Sequence, residues 1–248
     1  MIDGVVADPA NWPATIIFAS RTFDGRSYHC TGTIVGPRVV LTAAHCLKST
    51  ASVTIGGRNY RLDCTPHEKF VPVESGPPSA WYFDWALCSS KLEFQVPFYE
   101  VARASEDYWQ AYRTAVTQVK ILGFGCTNNG RASNLLSIGD SVITEHPVPT
   151  DTSREEVSTL MRVTAGATSC KGDSGGALYH IDRRNGRRAI VATVAAGPEN
   201  NSYTFAPSTW THWFQGFATQ WTGRRGNEYK ICGVHSDVHE RCRLAPEL

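Results

Sequence analysis

The run Cys170-Lys171-Gly172-Asp173-Ser174-Gly175-Gly176 sets one hydroxyl between an acidic residue and two glycines, with a cysteine four positions before it. Glycine permits backbone paths closed to other residues, so this is a place where a serine can be presented on a tight turn. A serine hydroxyl is a poor nucleophile at neutral pH. It needs a neutral imidazole to take its proton, and the imidazole needs a buried carboxylate to fix its tautomer and orientation. Two segments upstream supply both, Leu41-Thr42-Ala43-Ala44-His45-Cys46 and Asp84-Trp85-Ala86-Leu87-Cys88. Taken singly, His45 reads as a packed histidine, Asp84 as a helix cap and the Ser174 run as a turn. Taken together they point to serine hydrolase chemistry.

Around these segments the chain is rich in turns. Its 248 residues include 21 Gly and 13 Pro, with 42% hydrophobic and 19% charged residues, a globular composition large enough for one domain or two lobes. Lys and Arg number 24 against 23 Asp and Glu, a formal charge of +1, so no overall field favours nucleic acid or an anionic membrane. Any preference for a charged ligand must be local. No apolar run reaches the ~20 residues of a membrane span, and the amino terminus lacks the features of a signal peptide, so a mature, soluble form is expected. Eight cysteines spread along the chain fit disulfides and an oxidising compartment.

Short apolar or alternating runs at 15–20, 28–35, 38–42, 52–55 and 84–89 predict strands. After the region around 97–105 a second set follows at 115–124, 141–146, 159–164, 176–181, 189–195 and 203–206. Only 209–221 reads as helical, with Trp210, Trp213, Phe214, Phe217 and Trp221 spaced to form one packing face. Beyond Arg224 the chain is polar and is expected to lie on the surface. The pattern predicts an all-β chain with two barrel-like halves and a late helix.

In their chain order of His, Asp and Ser, the three segments resemble the catalytic segments of the chymotrypsin and trypsin family, an order unlike that of subtilisin or the α/β-hydrolases. The resemblance implies two six-stranded antiparallel β-barrels with the active site between them. Residues 1–105 would form the first barrel with His45 and Asp84, 106–223 the second with Ser174 and the C-terminal helix, and 224–248 a disulfide-closed appendage. It implies a secreted serine endopeptidase, extracellular or periplasmic, made as a zymogen. Its oxyanion hole would be the backbone N–H groups of Gly172 and Ser174. The start Met1-Ile2-Asp3-Gly4, with Trp12-Pro13 downstream, is similar to the family's mature amino terminus, with Met1 where isoleucine is usual. The Met1 amine would pair with Asp173, and an added upstream residue would leave a weakly active enzyme.

The family's pattern places Thr168 at the base of the primary pocket, with Ser169 beside it. Thr168 is uncharged, so an uncharged P1 residue is expected, although Glu199 on the opposite wall is a minor route to a basic preference. Lys171 would stand at the pocket rim. Where the family usually has Ser-Trp-Gly, this chain has Ala195-Ala196-Gly197. That removes one hydroxyl donor to Asp84 and opens the pocket, while the Gly197 backbone can still pair with substrate.

The resemblance also implies a Cys30–Cys46 disulfide. Cys170 lacks its usual partner, which makes Cys126 its candidate and leaves Cys64 with Cys88. In the tail, Cys232, His235, His239 and Cys242 have spacings zinc accepts, but a Cys232–Cys242 disulfide is the preferred reading and no metal or cofactor is expected. Asn200 is a glycosylation acceptor if the source glycosylates secreted proteins. The expected partners are a polypeptide substrate and a protein inhibitor, with no nucleic acid and no membrane, and the chain is expected to be a monomer. Two other readings stay open, a non-catalytic binding or signalling homologue of the same fold, and an esterase using the same triad.

Overall fold

The apolar runs become strands of two antiparallel sheets in a computed structural model that describes residues 1–71, 81–102, 117–131, 133–147, 160–182, 186–198, 202–235 and 240–242. The first sheet is a closed barrel. It contains β2 (Thr15–Arg21), β3 (Ser27–Gly36), β4 (Val39–Thr42), β5 (Thr50–Ile55), β6 (Arg58–Pro66) and β7 (Ala86–Ser90), in the order β2-β3-β4-β7-β6-β5 and back to β2. Closure leaves no edge strand, and the inward side chains of Phe18, Ile34, Val40, Val53, Tyr60 and Leu62 fill the interior.

The second sheet runs β12 (Arg188–Thr193), β11 (Ala177–Ile181), β8 (Thr117–Gly123), β9 (Ser137–Glu145), β10 (Leu160–Gly166) and β13 (Thr204–Pro207), and β1 (Val5–Val6) pairs with β9. Its two outer strands are joined by a single bridge from Ala192 to Ser208, reinforced by Thr209 N–H donating to the Val191 carbonyl at 3.0 Å. The second half is thus a curled sheet, nearly closed, where the first is a complete barrel.

Helix α1 (His212–Arg225) is capped by Thr211, whose hydroxyl accepts from Phe214 N–H. It buries Phe214, Phe217, Ala218 and Trp221. Trp210 precedes the helix rather than joining its face, and its indole donates to the Ile190 carbonyl at 2.8 Å.

Two segments cross between the halves. The first residues of the chain pair with the second sheet, through Val5 opposite Ile138 and Ile2 against Thr168. The tail returns to the first barrel and lies deeper than a surface appendage: Ile231 and Cys232 are each 1% exposed. Cys232 N–H donates to the Val35 carbonyl, and Ala102 N–H donates to the Cys232 carbonyl. A buried Glu100–Arg188 ion pair at 2.6 Å, both side chains 1% exposed, ties the segment after the first barrel to β12. The Arg188 guanidinium lies 3.6 Å from the Trp12 ring centroid, which compensates part of its desolvation.

Candidate active site

Strand register brings His45 and Asp84 together. β4 and β7 are antiparallel neighbours with Thr42 opposite Ala86 and Leu41 opposite Leu87, so the chain leaving β4 lies beside the chain entering β7. The first then makes a single 3-10 turn, Ala44–Cys46, carrying His45, and the second carries Asp84. Asp84 is fully buried. Its Oδ1 accepts from the His45 backbone N–H at 2.8 Å and its Oδ2 lies 2.6 Å from Nδ1. One carboxylate therefore holds both the backbone and the ring of the histidine. With the Nδ1 proton directed at Asp84, Nε2 is left as the basic nitrogen.

Among the described residues, both donors to Asp84 belong to His45. Ala195, at the position of the missing hydroxyl, directs its N–H to the Phe205 carbonyl at 3.0 Å. Below the pair, the Trp85 indole donates to the Pro207 carbonyl at 3.1 Å, which fixes the first barrel against β13. Trp81 stands edge-on to His45, with ring centroids 5.6 Å apart.

The Ser174 loop is assembled from separate parts of the chain. Asp173 is buried, and its carboxylate accepts from Gly125 N–H at 2.8 Å and Cys170 N–H at 2.9 Å, while its Oδ2 meets the Met1 ammonium at 2.9 Å. The ammonium also donates to the Cys126 carbonyl. Burial pushes the Asp173 carboxyl above the ordinary carboxylate range, against the opposing pull of the ammonium and the two backbone donors. A Cβ at Gly125 would stand 2.4 Å from the Asp173 carboxyl carbon, so glycine is required there for the carboxylate to fit. The Met1 side chain is itself buried among Ile143, Ala167 and Val194 of the second core.

The backbone of the loop is divided between folding and an external acceptor. The N–H groups of Asp173, Gly175 and Gly176 donate to Cys170, Val194 and Asp173 carbonyls, and Cys170 N–H goes to the Asp173 carboxylate. Among the described residues, the N–H groups of Gly172 and Ser174 donate to nothing. Gly175 lies at φ +79° against Thr42 and the Thr31 carbonyl, a left-handed conformation with no space for a side chain. Two uncommitted N–H donors on either side of Asp173, flanked by committed ones, are what holding one anionic oxygen would require.

His45 and Ser174 line one open cleft of about 560 Å³, together with Trp81, Gly130, Ser169, Cys170, Lys171, the 195–197 segment and Pro198. Thr168 lies outside its lining. It is buried and its backbone is bridged to Ile2, while its neighbour Ser169 is among the lining residues. Behind Ser169 is Thr204, fully buried, whose hydroxyl accepts from Ser169 N–H at 2.8 Å and donates to the Ser169 hydroxyl at 3.1 Å. The Gly197 backbone groups have no partner among the described residues. Glu199, Asn200 and His239 lie outside the described residues.

Disulfides join Cys30 to Cys46, Cys64 to Cys88, Cys126 to Cys170 and Cys232 to Cys242. Cys30, His45 and Cys46 bring possible metal-ligating atoms within 4.8 Å of one another, but both sulfurs are in a disulfide and offer no thiolate. The same holds for the Cys232 and Cys242 sulfurs beside His235, which accepts at Nδ1 from Ile231 N–H. Sequence reasoning missed Trp81, Gly130, Pro198 and Thr204. Trp81 carried a usable signal, since it begins the aromatic run Trp81-Tyr82-Phe83 directly before Asp84.

A family model described as Trypsin matches residues 1–213. Phenoloxidase-activating enzyme 1 of Spodoptera litura is 26% identical over 224 residues, covering 78% of this chain and 59% of that protein. Melanization protease 1 of Drosophila melanogaster is 26% identical over 227 residues, covering 75% of this chain and 56% of that protein. The chain therefore spans less than two thirds of the length of these two relatives. Granzyme E of Mus musculus is 28% identical over 221 residues, covering 84% of this chain and 88% of that protein. A solved collagenase structure, described as HL collagenase, superposes with a TM-score of 0.70 at 17% identity, covering 90% of this chain and 99% of that one, a likeness of fold.

Proposed function

The chain belongs to the trypsin family, and from that premise we propose that it is a secreted serine endopeptidase acting through Ser174, His45 and Asp84. The observation that carries this reading is the joint arrangement of a buried carboxylate on His45 Nδ1 and two uncommitted N–H donors beside Ser174. In the reaction, Ser174 Oγ attacks the scissile carbonyl carbon as its proton passes to His45 Nε2. The carbonyl oxygen becomes an oxyanion held by the Gly172 and Ser174 N–H groups. Collapse expels the amine, which takes the proton from His45 and leaves an acyl group on Ser174. Water then enters, gives a proton to His45 and attacks the ester, and Ser174 recovers its proton as the acid departs.

Asp84 accepts from His45 Nδ1 and stabilises the imidazolium. The Met1–Asp173 ion pair holds the Ser174 loop in register, because a buried carboxylate deprived of its cation would reorganise its surroundings. Gly197 offers its backbone to the substrate chain. Apart from His45 and Lys171, the described residues lining the cleft are uncharged, and Ser169 with Thr204 behind it adds hydroxyls, which supports an uncharged P1 residue. The partners of this reading are polypeptide substrates and a protein inhibitor that fills the same cleft.

Cleavage profiling on a mixed peptide library tests the reading. The expected result is cuts after uncharged residues. Dominant cleavage after Arg or Lys would refute the pocket assignment, and no cleavage by folded protein would favour a non-catalytic homologue.

A further inference from the structure

Two grooves on the outer face of the first barrel share a wall. The first, about 350 Å³, begins at Leu47 and Lys48, two and three residues after His45, and reaches Arg61 and Asp63 on β6. The second, about 510 Å³, runs from Arg61 and Asp63 past Lys91 and Leu92 to Arg225 and Tyr229 at the end of α1. Strand alternation explains why the charges face outward here. On β6 the Tyr60 and Leu62 side chains point into the barrel, which leaves Asn59, Arg61 and Asp63 on the solvent face.

The lining charges are Lys48, Arg61, Lys91 and Arg225 against the single carboxylate of Asp63. Asp63 is already paired with Arg225 at 2.9 Å. Arg61 and Lys91 have no ion-pair partner among the described residues, and Lys48 donates only to the His45 carbonyl, at 3.3 Å, while lying over the Tyr28 ring. A chain with a formal charge of only +1 thus concentrates uncompensated cations on one face, linked to the catalytic histidine through the Lys48 bond to the His45 carbonyl. Local fields of this kind raise the encounter rate and the residence of anionic partners, and salt weakens both.

We propose that this face is a docking surface for an acidic stretch of the polypeptide substrate, lying outside the cleft and across β6. A peptide suits it better than an anionic glycan because apolar groups are interleaved with the cations: Leu92 is 46% exposed, and Leu47 and Tyr229 line the same grooves. Aliphatic and aromatic side chains between the acidic ones would use those positions. The assignment of the occupant to the substrate rests on the endopeptidase reading above, whereas the binding itself does not.

The test uses the full chain carrying Ser174→Ala, which binds without cleaving. A fluorescent peptide with a run of Asp and Glu interleaved with Leu is titrated by anisotropy at low and high salt, beside a matched peptide with Asn and Gln. The expected result is at least about tenfold tighter binding of the acidic peptide at low salt, lost in high salt and lost in the Arg61→Glu/Lys91→Glu double variant. In the active chain, the same double variant should hydrolyse a short chromogenic substrate within about twofold of the parent, since neither residue lines the catalytic cleft. An Arg61→Gln/Lys91→Gln variant, which should give an intermediate loss, guards against damage from charge reversal. Equal binding of the two peptides, or unchanged binding by both variants, overturns the proposal. So does tight binding of a sulfated oligosaccharide without binding of the acidic peptide. If the short substrate is not hydrolysed at all while acidic-peptide binding persists, the endopeptidase reading fails and the surface stands.

Discussion

Two fully buried aspartates support the two halves of the site, and they are held in opposite ways. Asp84 takes both of its donors from His45, three residues past a strand whose register with β7 sets the distance. The barrel around it is closed, and the Cys30–Cys46 and Cys64–Cys88 disulfides lie in its walls. Asp173 instead takes its partners from three separate segments, at Met1, Gly125 and Cys170, of which only the last is local. The histidine half is a product of the barrel. In the proposed reading the serine half depends on the Met1–Asp173 ion pair, so catalysis should be easier to switch off from the second half than from the first.

The largest expected effect bears on both halves alike: Ser174→Ala should lower kcat by on the order of a millionfold, with His45→Ala similar and the double variant little worse, because the residues act as one unit. Active-site kinetics on a peptide substrate measure this, and additive losses would show that the two halves do not cooperate. The comparison itself is broken or kept by Asp173→Asn. Removing one partner of a buried pair costs about 3–5 kcal/mol, so kcat/KM should fall roughly a hundredfold to several thousandfold. The first barrel should meanwhile keep its thermal transition.

A smaller loss is expected from Gly125→Ala, where the added methyl meets the Asp173 carboxylate. Overpacking of this kind costs about 1–3 kcal/mol and should appear in kcat more than in KM. Replacing Cys232 and Cys242 by Ser opens a short loop on the far side of the first barrel. Denaturant unfolding should lose roughly 2–3 kcal/mol, with little change in kcat.

The smallest effect is a pH dependence near the tail. Burial, and then the neighbouring Glu93, push the Tyr99 phenol up to about 12. A phenol raised in the folded state favours the neutral form, so its contribution to stability is complete below the ordinary value of 10.0 and is lost as pH rises toward about 12. The unfolding free energy measured across that window should decline in the parent chain and decline less in Tyr99→Phe.

Much of this was legible in the sequence because His45, Asp84 and Ser174 sit in short motifs whose neighbours must be small or apolar. Ala43 and Ala44 fit under the barrel wall, and Gly175 has no room for a side chain. β6 escaped notice because Arg58, Arg61 and Asp63 dominate its composition, while its inward positions alternate with them at Tyr60, Leu62 and Cys64. Counting back from Ser174 reaches Thr168 and Ser169 but not Thr204, which hydrogen-bonds to Ser169 from a different strand. The docking of the tail escaped for another reason: it rests on backbone bonds to Val35 and Ala102, which leave no pattern in side chains.

The most direct measurement is the rate at which a fluorophosphonate labels the folded chain. The account predicts a single adduct on Ser174, abolished by His45→Ala and slowed at least about a hundredfold when one residue is added before Met1. A folded chain in which Ser174 stays unmodified, or labels equally fast with the added residue, would contradict it.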